Sequence, residues 1–106
     1  MKTPTVKAWL ADILSSDPMT FEDAYWGVRP SAVDVVPELV KLLDLHKDSY
    51  TRGKIIELLG ESGDTSILAI LEIELQNPDE GIMNWAKGAI EALKSEKEWQ
   101  QQPKYI

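Results

Sequence analysis

The sequence predicts an all-α domain, on three observations. Apolar residues recur at three- and four-residue intervals along most of the chain. The breaks between these stretches carry helix-end chemistry, as in Asp17-Pro18 and Asn77-Pro78-Asp79-Glu80. No segment of useful length alternates apolar and polar residues with the period of a strand. The chain has 106 residues, a size that suits one domain, and 43% are hydrophobic, enough for a core.

Taken in order, Thr3-Pro4 sets a capping hydroxyl before a first-turn proline. It predicts a helix from about Pro4 to Ser15 with Val6, Trp9, Leu10, Ile13 and Leu14 on one stripe. Asp17-Pro18 reads as an interruption. Thr20 with Asp23 three residues on is a capping-box variant, opening a short helix from Phe21 to Trp26 that ends at Gly27. Arg29-Pro30-Ser31 starts another element. Pro37, inside the apolar stretch Val33 to Leu45, is either a kink or the first residue of a new helix reaching His46. Asp48 caps a helix over Tyr50 to Glu61, and Gly60 with Gly63 supplies its stop. Asp64-Thr65 begins a helix through Gln76. Asn77-Pro78-Asp79-Glu80 begins the last, which runs to about Lys97 and buries Ile82, Ala86, Ala89, Ile90 and Leu93.

Glu57-Leu58-Leu59-Gly60 returns as Glu91-Ala92-Leu93-Lys94, 34 residues later. In both copies an apolar helix, an acid-containing turn and a second helix follow one another. Helix pairs with a period in this range indicate an α-solenoid of antiparallel pairs, each burying its face on the next. The expected division is one domain over 1–106. Within it, 1–30 is an irregular N-terminal capping pair, 31–63 and 64–98 are helix-pair repeats, and 99–106 is a tail. So short an array needs closing at its ends, a role open to Trp9 and Trp99.

Val36-Pro37-Glu38-Leu39-Val40-Lys41-Leu42-Leu43, then Asp48, Arg52 and Ile56-Glu57-Leu58-Leu59-Gly60-Glu61-Ser62-Gly63-Asp64, resemble the short bacterial HEAT-like repeats. The resemblance covers about Val36 to Leu93. It implies that the acidic turn and the following arginine mark the junction between paired helices. It also implies that the second helices line a concave face. The second copy departs from the pattern, with Asn84 or Trp85 where an arginine is expected.

Composition removes several functions. Eleven Lys+Arg against eighteen Asp+Glu give a net charge of −7, which disfavours binding to nucleic acid. Without cysteine there are no disulfides, zinc–thiolate sites or thiol nucleophiles. The single histidine, His46, leaves no His-pair metal site and lies near a helix C-terminus. Glu22/Asp23, Glu72/Glu74 and Asp79/Glu80 read as solvated or first-turn acids, and Gly60-Glu61-Ser62-Gly63 lacks the Lys-Ser/Thr of a phosphate loop. Neither a membrane span nor a signal-peptide pattern is present. The expectation is a cytoplasmic protein that is not an enzyme and takes no cofactor or metal.

The resemblance places Glu57, Glu61 and Glu91 on one acidic ridge, with Tyr50 and Trp85 nearby; Asp23 and Trp26 join them as candidate partner-binding residues. Acids interleaved with aromatics suit a basic protein partner, through steering and a few desolvated anchors. HEAT-like proteins resembling this one occur among bacterial immunity families. The expected function is therefore an inhibitor that covers the active site of a basic toxin, such as a nuclease domain, with an acidic surface. The alternative is a non-catalytic adaptor or scaffold in a larger complex.

Overall fold

The structure, a computed structural model, describes residues 3–95 and Trp99. Among them are six α-helices and no strand: α1 (Val6–Ile13), α2 (Pro18–Trp26), α3 (Ala32–Leu45), α4 (Ser49–Glu61), α5 (Leu68–Glu74) and α6 (Glu80–Lys94). A single 3-10 turn over Thr65–Ile67 leads into α5. No helix among the described residues is long and apolar enough to cross a membrane.

Side-chain caps set most of the helix starts, several of them at different residues from those expected. Thr5, not Thr3, caps α1, its hydroxyl accepting from the Ala8 N–H at 3.1 Å. Asp17 caps α2 and Pro18 opens its first turn, so Asp17-Pro18 is a helix start rather than an interruption. Asp48 caps α4 as expected, accepting from the Thr51 N–H at 2.9 Å. Asp79 caps α6 through the Gly81 and Ile82 N–H groups, while Asn77 caps Asp79 itself. Pro37 neither starts nor ends α3, which is continuous through it. The carbonyl that its missing N–H leaves without a donor belongs to Val33, which is 77% exposed and open to water. The expected end of α6 at Lys97 lies outside the described residues.

Consecutive helices pack together, α1 on α2, α3 on α4 and α5 on α6, and α4 also lies along α6. Ser49 meets Asp79, Gly53 meets Trp85 and Gly60 meets Ala89, so α4 and α6 run in the same direction. Gly60 does not stop α4. It lies inside the helix and lets the two backbones touch: a Cβ there would stand 2.6 Å from the Ala89 Cα. The stop is Gly63, whose φ of 76° favours glycine.

Ile55, Ile56, Leu58 and Leu59 of α4 pack with Leu71, Ile82, Ala86, Ala89 and Leu93 at the centre of the core. Leu39 and Leu43 from α3 and Trp9, Leu10 and Ile13 from α1 extend it. Trp9 and Trp99 do not close opposite ends. Their rings meet edge to face at 5.8 Å, Trp9 donating to the Ala24 carbonyl and Trp99 to the Pro30 carbonyl.

Arg52 is buried and reaches past the turn between α3 and α4. Its guanidinium donates to the Leu43 and His46 carbonyls, which the end of α3 leaves without helical partners, and it pairs with Glu74 of α5. Asp48 is not its partner. Glu74, expected to be a solvated acid, is buried with it.

A candidate aromatic groove between α2, α4 and α6

Helix α4 turns Tyr50, Lys54, Glu57 and Glu61 to one side, at the spacing of successive turns. Helix α2 faces them with Phe21, Glu22, Tyr25 and Trp26, and α6 adds Trp85. The result is an open groove of about 410 Å³ lined by Phe21, Glu22, Tyr25, Trp26, Tyr50, Lys54, Glu57 and Trp85. Five of the chain's eight aromatic residues line this one feature. Trp85 reaches it because Gly53 has no side chain: a Cβ at Gly53 would stand 2.9 Å from the indole Nε1.

The floor is polar and tied together. The Tyr25 hydroxyl lies 3.0 Å from the Glu57 Oε1 and 2.5 Å from the Glu61 Oε2. Arg29 donates to Glu61 at 2.9 Å and to the Tyr25 carbonyl. Its guanidinium carbon lies 4.8 Å from the Tyr25 ring centroid, 4.6 Å from that of Trp99 and 5.7 Å from that of Trp9. Arg29 is wholly buried, and its delocalised charge suits contact with both rings and a carboxylate. These bonds relieve the repulsion between Glu57 and Glu61, one turn apart.

Lys54 supplies the groove's cation. Its ammonium lies 4.3 Å from the ring centroids of both Phe21 and Tyr50 and donates to the Ile13 and Ser15 carbonyls at the end of α1. Burial raises the Glu57 carboxyl above its ordinary range. The Tyr25 hydrogen bond opposes this, the Glu61 charge adds to it and Arg29 reduces it. Burial, reinforced by both carboxylates, also raises the Tyr25 phenol well above its usual value, so it remains a hydrogen-bond donor.

Of the seven candidate residues, Trp26, Tyr50, Glu57 and Trp85 line this groove. Tyr50 is 69% exposed and Trp85 47%. Glu61 lies beneath, bonded to Tyr25 and Arg29, with its side chain 22% exposed. Asp23 is exposed on α2, and Glu91 is exposed on α6; neither lines the groove. Asp48 and Asp79, the caps of α4 and α6, are 31 residues apart, against the 34 between Glu57 and Glu91. Counted from those caps, Glu91 stands three residues further along its helix than Glu57 does.

Sequence reasoning missed Arg29, Tyr25 and Lys54. The available signal was spacing: Phe21, Tyr25 and Arg29 recur every four residues, as do Tyr50 and Lys54, and Glu57 and Glu61. A second, more apolar groove of about 650 Å³ lies between α1 and α3, with Val6, Leu10, Ala11, Leu14, Leu42 and Leu45 among its lining. Among the described residues no group of three or more His, Asp or Glu side chains is placed to hold a metal ion. The chain matches none of the family models, curated proteins or solved structures with which it was compared.

Proposed function

We propose that this chain is a non-catalytic, HEAT-like binding protein that inhibits a basic protein partner. In this reading it is an immunity protein covering the active site of a toxin such as a nuclease. The observation that carries the binding role is the aromatic groove. Exposed Tyr50 and Trp85, with Trp26 beside them and Glu57 beneath, have the composition of an interface anchor site. The net charge of −7 favours a partner of opposite sign and speeds their encounter. Exposed Glu22, Asp23 and Glu91 would supply the outer charges, since Glu61 and one oxygen of Glu57 already serve Tyr25 and Arg29. The parallel course of α4 and α6 from the Asp48 and Asp79 caps supports the solenoid part of the reading.

The experiment is affinity capture from a lysate of the source cells at low salt, with stepwise salt elution. The expected result is one basic protein released by salt, whose degradation of nucleic acid stops when this chain is added. A second reading, an adaptor in a larger complex, is favoured by the apolar groove between α1 and α3, beside which Leu45 is 75% exposed. Partners held through that groove would survive the high-salt wash.

A further inference from the structure

We propose that the groove between α2, α4 and α6 is a receptor for one arginine side chain of the basic partner. The proposal rests on the protein-binding reading above and names the group recognised. Ring faces carry negative potential, and a half-buried carboxylate among them is short of hydration. Glu57 is such a carboxylate, and Tyr25 engages only its Oε1. The molecule already displays the attraction at this site, because the Lys54 ammonium sits over Phe21 and Tyr50. That ammonium is committed to the Ile13 and Ser15 carbonyls, and among the described residues it forms no ion pair with Glu57. Arg29 acts on Glu57 only from its place beside Glu61, so a cation in direct contact with Glu57 would come from outside.

The rings alone attract either cation, as Lys54 shows, and it is their pairing with a carboxylate that favours arginine over lysine. A guanidinium is planar and weakly hydrated, so it stacks on an indole or phenol ring while its edge donates to a carboxylate. Tyr50 and Trp85 offer exposed rings, and Glu57 offers the acceptor. A lysine ammonium is compact and strongly hydrated and has no flat face to stack. The core of the molecule already uses this combination once, with Arg29 against Tyr25 and Trp99 and paired to Glu61.

The test is an NMR titration of the full chain with N-acetyl-arginine methylamide, following the tryptophan indole N–H signals. The lysine and citrulline counterparts are titrated alongside. The expected result is movement of the Trp85 signal, with the arginine probe binding about tenfold tighter than neutral, isosteric citrulline and more tightly than lysine. Trp9, in the core, should not move. Trp85→Ala and Tyr50→Ala alter exposed side chains, and Tyr50→Ala should weaken binding about fivefold, read on Trp85. Glu57→Gln keeps an acceptor for Tyr25 and should weaken binding about tenfold. Equal response to arginine and citrulline, or no response of Trp85, overturns the proposal. If arginine binds here but Tyr50→Ala and Trp85→Ala leave partner capture unchanged, the receptor stands and the protein-binding reading of this groove fails. If those variants abolish capture but arginine does not bind, that reading stands and this proposal fails.

Discussion

Two substitutions of identical chemistry should change stability in opposite directions. A Cβ added at Gly60 would stand 2.6 Å from the Ala89 Cα, 2.7 Å from its Cβ and 3.1 Å from its carbonyl oxygen. Ordinary carbon–carbon contact needs about 3.5–4.0 Å, so Gly60→Ala must part α4 and α6 by about 1 Å. No flexible side chain can yield there, because the closest atom is backbone. Overpacking of this kind costs about 1–3 kcal/mol, against a helix-propensity gain of about 0.8–1.0 kcal/mol. The net expectation is a loss of up to about 2 kcal/mol. At Gly88, exposed on α6, an added Cβ meets nothing within 4 Å. Gly88→Ala keeps the propensity gain alone and should stabilise by up to about 1 kcal/mol. Urea unfolding monitored by circular dichroism measures both, with an unchanged m-value for each. The two midpoints should bracket the wild type. A Gly60→Ala protein as stable as Gly88→Ala would refute the close approach of α4 and α6.

Three further outcomes are expected. Removing Arg29 as Arg29→Met leaves the Glu61 carboxylate without its guanidinium and should cost about 3 kcal/mol in urea unfolding; Glu61→Gln made alongside should recover part of it. Asp79 is held below the ordinary aspartate range by its hydrogen bond from Ser49 and by the first-turn N–H groups of α6. Its folded pKa is depressed, so its contribution is present above its unfolded pKa and lost as pH falls through the folded value. Asp79→Asn, which still caps but carries no charge, should flatten the acid limb of a Tm-against-pH curve by lowering the Tm near pH 7 more than the Tm at pH 2. Gly53→Ala should displace the Trp85 indole from α4, read as a change in tryptophan fluorescence without loss of cooperative unfolding.

Much of the helical layout was legible because caps and turns act locally. Asp48 needs only Thr51, three residues on, and Gly63 needs only its own φ. The misread starts were local too. Asp17-Pro18 and Thr20 compete for one boundary, and the aspartate takes it because its carboxylate bonds both the N–H and the hydroxyl of Thr20. What sequence could not supply was partnership across distance. Arg29 meets Glu61 across 32 residues and Arg52 meets Glu74 across 22, and nothing local announces either pair. Gly60 shows the same limit, since a glycine that ends a helix and one that admits a neighbouring helix look alike until the neighbour is in place.

The candidate site was partly legible for a related reason. Tyr50 and Glu57 share a face of α4 by spacing alone, and Trp85 stood out for lying off the stripe that α6 buries. The expectation treated Glu57 and Glu61 as one open ridge. The structure instead sets Glu61 beneath the groove with Tyr25 and Arg29, and only Glu57 faces the groove itself. The charges that reach solvent around it then belong to other residues, Glu22 on its wall and Asp23 beside it on α2.

The central claim is that the groove binds a basic protein. Its most direct test is parallel capture from one lysate on the wild-type chain and on a Tyr50→Ala/Trp85→Ala variant, with stepwise salt elution. The account predicts a positively charged protein on the wild type that salt releases and that the variant does not retain. The same proteins on both columns, or a partner that stays bound through high salt, would contradict it.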